Sequence, residues 1–222
     1  MDKIDVFVSL AFRVSPENGG VIPFSDFITN PNKIIPKRDD NWEILGKLHP
    51  DGIPFQSFKF RNNVIISIQP DFAEIRQDAI QNQDVTFANI IQIAEQFSNI
   101  AIKYNINHTG LNYSFIIPKE NPNDVLNNKL HFSINEKPTE TSYTLVYEDK
   151  IKQESTTISI NSGGVTFPTS AEIKGIIFNA NYDRKINDAT RMRSTLDFVT
   201  NIDNIFDKIK EKSNMIAKDY DA

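Results

Sequence analysis

The chain has no cysteine, three histidines and a single tryptophan. Without cysteine there is no disulfide, no thiolate nucleophile and no Cys-based zinc site, which fits a reducing cytoplasm, the expected location. His49, His108 and His131 lie far apart, none in a HExxH-like setting, so no metal centre is expected. Long apolar runs are also missing. Nothing reaches the roughly 18–20 residues of a membrane helix, so no membrane partner is expected. In MDKIDVFVSLAFRV only seven residues separate Asp5 from Arg13, with no small-x-small cleavage pattern behind them.

Positive charge is in deficit. Lys and Arg number 24 against 29 Asp and Glu, giving a net charge of −5 and a pI near 5.3. A chain that coats duplex nucleic acid needs a net basic face, so that class is disfavoured, although a local basic patch is still allowed. There is no Gly-x-Ser-x-Gly elbow, no Ser-x-x-Lys in a suitable context and no Walker lysine. No cofactor is expected.

What remains is an ordinary globular composition: 222 residues, 39% hydrophobic and 24% charged. This suits one large domain or two small ones, able to bury roughly 70% of their extended surface. Asn and Ile are used heavily and Lys exceeds Arg, a bias of AT-rich coding sequence that points to a bacterium, phage or mobile element.

Apolar residues alternate from Ile4 to Val14, the period of a strand with one buried face. Val21–Phe24 reads as its hairpin partner across Gly19-Gly20. Residues 30–54, with Trp42, read as a long surface connection. Phe58, Phe60, Val64, Ile66 and Ile68 share a face, in one strand or in a hairpin turning at Asn62-Asn63. Phe87, Ile90, Ile91, Ala94, Phe97 and Ala101 form a helical stripe over 86–104. Leu111–Ile117 is a strand ending at Pro118. Residues 130–134, 142–147, 156–160 and 173–182 read as further strands. A closing helix over about 189–215 follows Asp188, its expected N-cap.

The fold class read from this order is α+β: an antiparallel, sheet-rich chain of nine or ten strands with two long helices. NGGVIPFSDFI (18–28) and SGGVTFPTSAEI (162–173) share a Gly-Gly-Val core, and each half supplies a further strand and one long amphipathic helix. This predicts a diverged duplication of two sheet-plus-helix units, 1–118 and 129–222, joined by a connecting loop at 119–128. Neither Gly-Gly pair precedes a helical pattern, so both read as turns between strands, not phosphate cradles.

Two groups of residues carry candidate chemistry. Asp124 with Glu148 and Lys150 matches a carboxylate followed by Glu-x-Lys, which can hold Mg²⁺ and place a lysine near a phosphate, as in a metal-dependent nuclease. Glu172-Ile173-Lys174 matches as well, and Glu148-Asp149-Lys150 also reads as a solvated tip between strands. Arg184, Lys185, Arg191 and Arg193 form the densest cationic group, suited to an anionic partner or to a solvated face. With Trp42 they are the candidate binding residues. The function expected from these observations is non-enzymatic binding of another protein, by an immunity protein, inhibitor or complex subunit. An acidic binder favours a partner with a basic surface. A self-associating subunit is the other non-enzymatic alternative.

Overall fold

A computed structural model describes residues 3–14, 44–47, 56–69, 72–79, 90–91, 106–130, 140–167, 172–186 and 197–220. The strands are β1 (Ile4–Val14), β2 (Ile44–Lys47), β3 (Gln56–Phe60), β4 (Val64–Gln69), β5 (Phe72–Asp78), β6 (Ile106–Pro118), β7 (Ser142–Asp149), β8 (Glu154–Thr166) and β9 (Glu172–Lys185). Two helices are described in full: α1 (Pro122–Leu130) and α2 (Ile202–Ala217). The nine strands form a single antiparallel sheet, ordered β2-β3-β4-β5-β1-β6-β9-β8-β7. The α+β, sheet-rich reading therefore holds. β1 and β6 pair at the centre. From each of them the chain goes on to an outer edge, β2 or β7, and meanders back until β5 lies beside β1 and β9 beside β6.

Alternation along the strands decides which face is buried. Val8, Leu10 and Phe12 of β1 lie level with Tyr113, Leu111 and Thr109 of β6, and Tyr113 and Leu111 with Ala180 and Tyr182 of β9. All are buried. α2 packs on this face because its buried residues, Ile202, Ile205, Phe206, Ile209, Ser213 and Ala217, recur at three and four, one stripe of a helix. Phe206 meets Tyr113 edge-on at 5.3 Å, and Tyr220 meets Phe178 at 5.7 Å. Phe178 in turn stacks on Phe115 at 4.7 Å. A buried polar knot adds to the docking. Lys3 Nζ donates to the Tyr113 hydroxyl at 2.7 Å and to Asn214 of α2 at 3.2 Å, and Tyr113 donates to Asp5 at 2.6 Å.

Several local readings need correction. The segment read as a connecting loop, 119–128, contains most of α1, whose Pro122 takes the helix-compatible first position. Leu130, read as opening a strand, ends that helix. β2 is a strand inside the stretch read as a surface connection, and β5 is a strand where the sequence reading placed no element. Gly163 and Gly164 are not a turn. They lie inside β8, paired with Gly175 and Lys174, and neither has a left-handed φ. Among the described residues other than glycine, the left-handed positions are Asn63 (φ 60°), in the β3–β4 hairpin as expected, and Gln153 (φ 56°), in the β7–β8 hairpin. Gly175 is required for closeness: a Cβ there would stand 2.2 Å from the Ile117 carbonyl oxygen of β6. The closing helix is interrupted: residues 197–200 are helical and α2 starts afresh at Ile202, while Asp188 and 189–196 lie outside the described residues. Val21–Phe24, Gly19-Gly20 and most of the 86–104 stretch lie outside the described residues; within that stretch Ile90 and Ile91 are helical.

Candidate binding edge and cleft

The β7–β8 hairpin and α2 enclose an open cleft of about 990 Å³. The hairpin is shaped by Asp149, whose Oδ1 accepts the backbone N–H of Ile151 at 3.1 Å and of Lys152 at 3.0 Å. Such a side-chain-to-backbone turn frees Gln153 to adopt its left-handed φ and start β8.

The inner wall of the cleft is held by Arg184. Its guanidinium meets Glu154 of β8 at 2.6 Å and Asp197, ahead of α2, at 3.0 Å, while Nε donates to the Tyr182 hydroxyl at 3.1 Å. Burial opposes the guanidinium charge, but Tyr182 and the hydrogen bonds to Tyr182, Glu154 and Asp197 outweigh it and hold its pKa above the usual value. Burial pushes the Tyr182 phenol far above its usual range; Arg184 offsets part of this and Glu154 adds to it. With three protein partners and 17% side-chain exposure, Arg184 is a clamp joining β8, β9 and the last helical segment.

The remaining cations sit further out. Lys185 is exposed at the end of β9. Lys152 pairs loosely with Asp149 at 3.8 Å, and Lys212 of α2 lies 4.0 Å over the Tyr147 ring. Lys208, one turn before Lys212, lines the same cleft. Asp149, Glu154 and Asp197 are engaged in the turn or with Arg184, which leaves Glu148 as the other carboxylate lining the cleft against Lys152, Lys185, Lys208 and Lys212.

Among the described residues β7 pairs only with β8 and forms the edge of the sheet. Among the described residues the exposed large hydrophobics are Val146 (59% exposed), Tyr147 (40%), Ile151 (96%) and Met215 (63%). Three of the four lie on β7 or its hairpin. The fourth follows Lys212 by three residues, on the same side of α2.

The sequence-derived candidates divide here. Glu148 and Lys150 are exposed at the hairpin tip, as a solvated tip requires. Asp124 is elsewhere. Its neighbour Asn123 accepts a hydrogen bond from Ser162 at 3.3 Å, and the Ser162 N–H bonds the Thr141 carbonyl, at the start of β7. Ser142 and Glu148 are six residues apart along β7, about 20 Å at strand rise. The structure therefore does not bring Asp124 together with Glu148 and Lys150. No group of three or more His, Asp or Glu side chains placed to hold a metal occurs among the described residues. Arg184 and Lys185 do come together in the cleft. Trp42, Arg191 and Arg193 lie outside the described residues.

The face of the sheet opposite α2 is polar. One row across six strands reads Arg76, Ser9, Asn112, Asn181, Thr157, Val146. His108, expected in a loop, is in β6, and its Nδ1 lies 3.1 Å from Asp183 of β9 on that face. The two are 75 residues apart, so linear sequence gave no signal for the pair. Val146, Tyr147 and Ile151 were legible as apolar residues, but their exposure depends on β7 being an edge.

No protein-family model matches the chain, and a search of curated proteins found no match either.

Proposed function

We propose that the chain is a non-enzymatic protein-binding module, an immunity protein, inhibitor or complex subunit of a bacterium, phage or mobile element, acting in the cytoplasm. Its contact surface is the β7 edge with the adjoining cleft. One observation carries this: among the described residues, three of the four exposed large hydrophobics, Val146, Tyr147 and Ile151, gather on the eight-residue β7 and its turn, and no described strand pairs the outer side of β7. Scattered exposed apolar residues need no explanation, but a cluster beside unpaired backbone N–H and C=O groups does. A partner that adds a strand satisfies those groups and covers the cluster together.

The nuclease reading needs Asp124, Glu148 and Lys150 around one ion, and their separation gives it no support. A diverged duplication is also proposed as the origin of the fold: both halves run from centre to outer edge and inward again, with five strands in one and four in the other.

The test is selection of random twelve-residue peptides on the immobilised full-length protein. Enriched peptides should lose at least tenfold in affinity on Val146→Lys and on Ile151→Lys. Peptides that bind both variants as well as the parent would overturn the reading.

A further inference from the structure

Resting on the β7 edge as the docking surface, we infer that its occupant is an extended segment of a partner protein in which acidic residues alternate with apolar ones. The two faces of β7 differ, and a strand added beside it inherits that difference. Tyr143, Leu145 and Tyr147 look toward α2, because they lie level with Ile160, Ile158 and Thr156, which in turn lie level with Phe178, Ala180 and Tyr182 of the packed face. Thr144, Val146 and Glu148 look the other way. An incoming residue beside Tyr147 therefore enters the cleft beneath α2, where the Lys212 ammonium stands 4.0 Å over the Tyr147 ring and Lys208 lies one turn away. A carboxylate there meets two lysines on a helix that no strand of this sheet pairs. The next incoming residue points to the opposite face beside Val146, which is 59% exposed, and an apolar side chain covers it. Strand period two then demands acidic, apolar, acidic, apolar.

This local preference reverses the sign expected from net charge. The chain carries −5 overall, but short-range pairing at the edge is set by the lysines of α2, since charges beyond about 8–10 Å are screened at physiological salt. A second copy of the chain fits less well. The alternate positions of β7 that look toward α2, Tyr143, Leu145 and Tyr147, carry no charge, and the next of that set, Asp149, is already engaged in its own turn.

Two synthetic ten-residue peptides test this on the full-length protein, one alternating Glu and Val, the other Lys and Val, each with a fluorescent label. Anisotropy should give at least tenfold tighter binding of the Glu/Val peptide, weakening as salt is raised. The double variant Lys208→Glu, Lys212→Glu should reverse the preference. Because both lysines lie at the helix surface, circular dichroism should show that variant folded; the single Lys212→Gln gives the same readout with less change of charge. Equal affinity for both peptides, or a preference that survives the charge reversal, overturns the inferred pattern. If neither peptide binds while peptides selected at random still bind through Val146, the pattern fails and the edge reading stands. If selected peptides ignore Val146, both fail. A concentration-dependent dimer in sedimentation that Val146→Lys abolishes would assign the edge to a second copy and also overturn the inference.

Discussion

The sheet ends in two edges of different construction. β2 is described over Ile44–Lys47, and its pairing with β3 slips between Ile44 and Gly46. β7 is eight residues long and keeps its register with β8 from Ser142 to Asp149. Short length and irregular register are among the devices that blunt an edge against further pairing. β7 has neither device, contains no proline and places Val146 in the open. In these properties β7 is the more open of the two edges, which is what the proposed docking surface requires.

Four substitutions or conditions, ordered from the core outward, separate the stability of the sheet from binding at the β7 edge. The largest expected effect is at the centre. Phe115→Ala removes a fully buried ring stacked on Phe178 and should cost about 3–5 kcal/mol in denaturant unfolding, with peptide affinity per folded molecule unchanged. A loss of affinity that tracks stability would mean that the edge is not an independent surface. Next is the clamp: Arg184→Met leaves Glu154 without its partner and should cost about 2 kcal/mol, read by the same unfolding curves.

Third is alkaline pH. The folded Tyr182 phenol has a raised pKa, so the native state keeps a proton that the unfolded chain releases near pH 10. Its stabilising contribution is complete below about pH 10 and is lost as pH rises beyond it, at up to about 1.4 kcal/mol per pH unit. Tyr182→Phe should flatten that decline; an unchanged slope would remove Tyr182 as its source. The smallest effect on stability belongs to Val146→Lys. At an exposed edge site it should change unfolding by no more than about 0.5 kcal/mol while weakening binding. A large destabilisation would show that β7 belongs to the packed core and not to a docking surface.

Much of this fold is legible in linear sequence, and the failures have physical causes. β1, β4 and β9 were readable because one face of each is buried and alternation survives along the strand. β5 was not. Only Ala73 and Ile75 mark its buried side, while Phe72 sits on the polar face beneath Arg13 and blurs the period. α1 is polar and rich in Asn and buries little beyond Leu126 and Asn127, so its composition resembles a loop. Gly163-Gly164 misled because glycine signals a turn unless another chain passes close, and closeness is a tertiary property. At the site, Arg184 and Lys185 could be named as a cationic pair. That the first is consumed by Glu154 and Asp197 while Lys208 and Lys212 face the open edge follows from how α2 lies across the sheet, which no local pattern encodes.

The most direct measurement is residue-resolved amide hydrogen exchange of the full-length protein with and without a bound edge peptide. The account predicts new protection of alternate amides between Tyr143 and Asp149, those that point away from β8, with the β8 and β9 amides little changed. Peptide binding that leaves the β7 amides exchanging as before, or that protects the polar face around Asn112 and Asn181 instead, would contradict it.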